Sequence, residues 1–347
     1  MIGGLLRVTV LIFCVGLSGC IVIPTQVGAE LEDGRPGESN NYAVNSQTST
    51  PVSIPTKRSA SGTVAPDVRS LVSGQILVRD DGDAISLFVS LFAEEFLPWS
   101  HIGVISQEAD GTYVYDANGE LFPVPGVPPS ATFVGSIQRT PFAQYVASGK
   151  IFGIYAPPPG ADGEKIAAFV RDHYARKTPF DAYFDNTDAA ALYCSELVAH
   201  AIRAAGAVPI RQAPARVNRS YDVLRDWLRV KATGFYLPAH FADPTRKIAL
   251  WSTDFSPVQI EAQFEARREL ARRFTATTRL GHLFNWSIQG LALREAPQRF
   301  QDAITAAFAS GFSPGANSAS ISQEVRRLAD LHFSGAPVSG TVLAPVR

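Results

Sequence analysis

The chain has 347 residues, 46% of them hydrophobic, and a formal net charge of −1. That is enough apolar material for one large domain or two small ones, and so balanced a charge gives no general electrostatic argument for nucleic acid. Three cysteines without a CxxC, and the absence of HExxH, P-loop and GxGxxG patterns, point to no zinc site, disulfide framework or nucleotide-binding loop.

The N-terminus reads as a targeting segment over residues 1–20. Arg7 precedes an apolar stretch, 8–15, that is too short to span a bilayer. It ends in Leu17-Ser18-Gly19-Cys20, which resembles the lipobox of bacterial lipoproteins. That resemblance implies an acylated Cys20 as the mature N-terminus and a membrane anchor made of lipid. Ile21 rather than Asp follows the cysteine, so the expected location is the outer membrane, facing the periplasm. Cys14 leaves with the leader and Cys20 carries lipid, so Cys194 is the one free thiol expected in the mature chain. In an oxidising compartment such a thiol is a candidate nucleophile. Residues 21–68, rich in Ser, Thr, Pro, Gly and Asn, read as a flexible tether.

The folded part is expected to begin near Val68, with a catalytic unit over 69–251 and a helical extension over 252–347. Residues 74–79 read as a strand, 84–96 as a helix with Ile85, Phe88, Val89 and Phe92 on one face, and Pro98-Trp99 as its end. Residues 100–105 and 112–117 alternate as a hairpin. A four-residue loop, 107–110, places His101 opposite Asp116; a two-residue Asp110-Gly111 turn places Glu120 there instead. After a Pro-rich loop, 123–129, strands are expected over 132–138 and 150–155, and a helix over 162–174.

Leu197, Val198, Ala201, Ile202 and Ala205 recur at helical spacing, and Gly206 with Pro209 supplies a stop. Cys194 therefore stands at the first turn of a buried helix, where free backbone N–H groups and the helix dipole favour a thiolate. A further helix is expected over 221–230, and strands over 234–238 and 248–251. Beyond Ser256-Pro257, a cap followed by Pro at the first helical position, helices are expected to Phe274 and over 280–293, 297–310 and 320–332. Arg267, Arg268, Arg272 and Arg273 read as a basic surface.

A cysteine at a helix start, a histidine on a strand and an acid beside it are the parts of a thiol nucleophile system. The order, with His about 90 residues before Cys, is permuted relative to papain. Gly74-Gln75-Ile76-Leu77, Trp99-Ser100-His101-Ile102-Gly103-Val104, Tyr115-Asp116-Ala117, Phe180-Asp181-Ala182-Tyr183-Phe184 and Tyr193-Cys194-Ser195-Glu196-Leu197-Val198 resemble the YiiX/YaeF-like permuted papain-fold amidases. These belong to the NlpC-like cysteine peptidase superfamily, which includes lecithin–retinol acyltransferase.

The resemblance covers about residues 70–250. It implies an α+β fold with an antiparallel sheet packed on the nucleophile helix. Cys194 then matches the nucleophile, His101 the base, Asp116 the third polar residue and Tyr193 an oxyanion helper. Trp99 and Tyr183 are candidates for lining the cleft. Three positions depart from the pattern: Asp116 stands where Glu is common, Gln75 where Asp is usual and Phe180 where Tyr is usual. The expected activity is hydrolysis of an amide, with a cell-wall peptide as substrate. Acyl chemistry on a lipid and non-catalytic binding are the alternatives. No metal, organic cofactor or nucleic-acid partner is implied.

Overall fold

The computed structural model describes residues 65–120, 134–215, 230–275, 282–310 and 317–333, except positions 92, 95, 182, 185, 187, 188, 231, 288 and 289. The expected leader with Cys20, nearly all of the expected tether, the Pro-rich loop 123–129 and residues 221–229 of an expected helix lie outside the described residues.

The strands are β1 (Ile76–Asp80), β2 (His101–Glu108), β3 (Gly111–Glu120), β4 (Val134–Pro141), β5 (Ile151–Tyr155), β6 (Ala213–Pro214), β7 (Gly234–Phe235), β8 (Lys247–Ser252), β9 (Phe284–Ser287) and β10 (Gly290–Leu293). The helices are α1 (Ala84–Ser90), α2 (Phe142–Ala147), α3 (Gly163–Ala175), α4 (Cys194–Ala204), α5 (Pro257–Phe274), α6 (Glu295–Ser310) and α7 (Ser318–Phe333). Six strands form one sheet in the order β4-β3-β2-β1-β5-β8, every neighbour antiparallel. No helix among the described residues is long and apolar enough to cross a membrane.

Strand alternation divides the sheet into two buried faces. Ile76, Val78, Ile102, Val104, Tyr115 and Ala117 meet Ile166 and Val170 of α3 and Leu197, Val198, Ala201 and Ile202 of α4. Each of the large aliphatic side chains among them contributes roughly 1.5–3 kcal/mol by leaving water. Leu77, Ile105, Val114, Phe152 and Ile154 face the other way, onto Phe142, Tyr145 and Trp251.

Local chemistry sets the helix ends that hold this packing. Asp162 caps α3 by accepting from the N–H groups of Glu164 and Lys165 at 3.0 and 3.3 Å. Its first residue sits against Gly74, which has φ +85°. A Cβ at Gly74 would lie 2.3 Å from the Gly163 Cα, so only glycine allows this approach. α4 follows an extended Tyr193, whose N–H donates to Glu196 Oε2 at 3.4 Å, and stops before Gly206 at φ +89°.

α5, α6, α7 and the β9–β10 hairpin close round a third cluster with α1, including Leu87, Phe88, Leu270, Phe284, Phe300, Ile304, Ile321 and Val325. This part is joined to the sheet by charge as well as by packing. Arg267 (2% exposed) meets Asp80 (1% exposed) at 2.6 Å and also donates to the Asp83 carbonyl at 3.0 Å. Trp99 lies edge-on to Phe264 at 5.0 Å, and Ile260 joins the core beneath the sheet.

Several expectations are corrected. The helix from Ala84 stops at Ser90, because Leu91 N–H turns back to Phe88 O and Ala93 leaves to bridge Ala215. The helix expected over 280–293 is instead a β-hairpin, β9–β10, with Phe284 buried edge-on to Phe88 at 5.6 Å. Tertiary packing overrides helical spacing there. The strand expected over 234–238 is cut to β7, because Pro238 opens a 3-10 turn. Arg267 is not on a basic surface but in the core, since Asp80 compensates its charge. Arg268, Arg272 and Arg273 pair with Glu265 and Glu269 on their own helix.

Candidate active site

The β2–β3 hairpin turns through Ala109-Asp110, pairing Glu108 with Gly111 and Val104 with Tyr115. This register lies between the two expected ones. Carried to the start of β2, it places Gly103 across from Asp116, with His101 one diagonal step away on the same face. Gly103 has no side chain to fill that diagonal. A Cβ there would lie 2.7 Å from Val114 Cγ1, 2.9 Å from the Tyr115 carbonyl oxygen and 3.3 Å from Asp116 Cβ. The imidazole crosses the open space, and His101 Nε2 meets Asp116 Oδ2 at 2.6 Å. The carboxylate is 4% exposed and the imidazole 15% exposed. So short a contact between two shielded groups is a charge-assisted hydrogen bond.

His101 is the first residue of β2, at the end of the sheet. Cys194 is the first residue of α4, and the two groups act on each other electrostatically. Asp116 engages Nε2, and Nδ1 is the remaining ring nitrogen. Ser195 Oγ is a second polar neighbour of Sγ, at 3.7 Å.

Burial opposes a charge on the imidazole, but the Cys194 sulfur and the Asp116 carboxylate outweigh it and push His101 up to about 9. Burial likewise pushes the thiol up, but His101 and the Ser195 hydroxyl outweigh it and hold Cys194 below its ordinary value. Both shifts favour a thiolate beside an imidazolium, the reactive form of a cysteine. A thiolate next to a proton donor can attack a carbonyl carbon and protonate what leaves.

The other candidate positions have definite surroundings. The Tyr193 ring is buried 4.9 Å from Phe184, and its hydroxyl accepts the Tyr236 N–H at 2.9 Å. Phe184 itself sits at φ +51°, an uncommon backbone state for an aromatic residue. Trp99 is packed on Phe264, and half-buried Tyr183 lies against the C-terminal cluster. The Tyr183 N–H donates to Asp181 Oδ1 at 2.8 Å, so Asp181 shapes that loop. Glu120 is the last residue of β3, paired with Val134. Gln75 closes a local turn, accepting from Val72 N–H at 3.2 Å. His173 is buried and hydrogen-bonded to Thr178 Oγ1 at 2.9 Å.

Sequence reasoning missed two polar residues beside His101, Arg79 and Tyr145. Arg79 of β1 is its direct cross-strand partner. Its guanidinium lies 3.4 Å from Asp81 Oδ2, donates to Ser148 Oγ at 3.2 Å and sits 4.8 Å from the centre of the Tyr145 ring. The Tyr145 ring in turn stacks toward His101 at 6.4 Å. One signal was available: Arg79 continues the alternation of a wholly buried strand. Tyr145 carried none, since α2 has no strong periodic pattern.

Among the described residues, no group of three or more His, Cys, Asp or Glu is disposed to hold a metal ion. No family model and no curated protein matches the sequence. Among solved structures, the chain is similar to the crystal structure of metalloprotein YiiX from Escherichia coli O157:H7, DUF1105. The TM-score is 0.38 at 18% identity, over 52% of this chain and 94% of that one.

Proposed function

We propose that this protein is a cysteine hydrolase that opens an amide bond, in a permuted papain-like arrangement. The observation that carries the reading is the Asp116–His101 hydrogen bond, with Cys194 at a helix N-terminus as the thiol whose ionised form His101 favours. Cys194 Sγ attacks the carbonyl carbon and the C=O electron pair moves onto oxygen. The C–N bond then breaks as the His101 proton passes to the leaving nitrogen, giving an amine and a thioester. Water, deprotonated by His101, cleaves the thioester and restores the thiol. Asp116 keeps the imidazole oriented and favours its charged form throughout.

The lipobox and tether support an anchor at Cys20 and a position at the periplasmic face of the outer membrane. From there a tethered domain reaches peptides of the cell wall, the proposed substrate class. The test is incubation of the protein with defined muropeptides and, separately, phospholipid vesicles, followed by mass spectrometry, with Cys194→Ala as control. A Cys194-dependent new amine end in the muropeptides supports the reading. Fatty-acid release would transfer the site to lipid acyl chemistry, and no product from either would leave a binding role.

A further inference from the structure

Arg79 Nε, Asp81 Oδ1 and the Tyr145 hydroxyl are buried with no hydrogen-bond partner among the described residues. An unpartnered buried polar group costs about 1–3 kcal/mol, so a cluster of them beside a nucleophile calls for an account. Arg79 and Asp81 retain each other through their remaining atoms. Tyr145 has no such compensation: it is 3% exposed, and its ring packs against the Arg79 guanidinium and the His101 imidazole. Burial pushes the phenol well above its ordinary range, and Asp116, Asp81 and Cys194 push it the same way against Arg79, so it remains an O–H donor.

A donor that is waiting, dry and beside His101 lacks only an acceptor that arrives with the substrate. We propose that Tyr145 donates its hydroxyl hydrogen to the carbonyl oxygen under attack by Cys194 and to the oxyanion that replaces it. This rests on the cysteine-hydrolase reading. As the Sγ–C bond forms, the C=O electron pair moves onto the oxygen held by Tyr145. When the intermediate collapses, C=O re-forms and the leaving group takes the His101 proton. Tyr145 keeps its own proton throughout. Arg79, against the ring face, makes the phenol a stronger donor.

Two reactions of Cys194 separate this role from a structural one. Iodoacetamide alkylates the sulfur at a saturated carbon and forms no oxyanion. p-Nitrophenyl acetate acetylates it through one. Both are followed on the full chain by peptide mass mapping at Cys194, the second also by nitrophenolate release, with Cys194→Ala as background. Tyr145→Phe should slow acetylation on the order of a hundredfold, the usual loss of one oxyanion donor. Alkylation should stay within about twofold, since no such donor is used there. The same alkylation rate shows that the variant folds. Unchanged acetylation, or equal slowing of both reactions, overturns the role of Tyr145. A wild-type Cys194 that does not alkylate at pH 6 overturns the cysteine-hydrolase reading, and the proposal with it.

Discussion

Asp116→Asn removes one charge and almost no volume. Asp116 is buried and its Oδ2 lies 2.6 Å from His101 Nε2. A hydrogen bond to a charged group contributes about 1.5–3 kcal/mol, and 1.36 kcal/mol is one pKa unit, so the loss is about one to two units. His101 stands at about 9, with burial opposing its charge and Cys194 and Asp116 sustaining it. The variant should therefore titrate between about 7 and 8. The sign follows from linkage. A raised histidine pKa means that the folded protein holds the proton more tightly, so the contribution is complete below about 6.5 and is lost as pH rises through about 9. In the variant the contribution is smaller and is lost earlier, so the two proteins differ most in stability below about pH 6.5 and converge above about 9. The assay is an NMR titration of the His101 ring carbons in labelled protein, with thermal denaturation as a check on folding. Turnover on whichever substrate the muropeptide and vesicle assay identifies should fall well over tenfold. If turnover falls while the His101 titration moves by less than about half a unit, Asp116 does not act through the imidazole and the reasoning fails.

Gly103→Ala places a Cβ 2.7 Å from Val114 Cγ1 and 3.3 Å from Asp116 Cβ, so it should cost about 1–3 kcal/mol of stability and lower Cys194 reactivity. Wild-type stability and iodoacetamide rate in the variant would refute the open-diagonal account. Arg267→Met strands the Asp80 carboxylate and should cost about 3–5 kcal/mol, whereas Arg267→Met combined with Asp80→Leu should recover most of it. Urea unfolding of the three proteins measures this, and a single variant within about 1 kcal/mol of wild type would show that the pair does not join the C-terminal helices to the sheet. Cys20→Ala should release the protein from the membrane fraction or leave it unprocessed. Normal processing with continued membrane binding would remove the lipid anchor from the reading.

Features governed by neighbours along the chain were legible in the sequence. The apolar spacing from Leu197 to Ala205 and the Gly206 stop describe α4, because helical period and capping act within one or two turns. The alternation in β2 and β3 put His101 and Asp116 on one face. A register slip of two residues preserves that face, so their proximity survived an error in the turn. The identity of each group's partner was decided only in three dimensions. Arg79 stands beside His101 through strand pairing across 22 residues, and Tyr145 arrives from 44 residues further on. Arg267 looks like a solvated charge within its own helix and is buried only because Asp80, 187 residues away, meets it. Residues 284–293 have helical spacing, yet they fold as a hairpin against Phe88. Local sequence biases backbone conformation by tenths of a kcal/mol per residue, whereas burial and charge pairing contribute whole kcal/mol and depend on which distant segments meet.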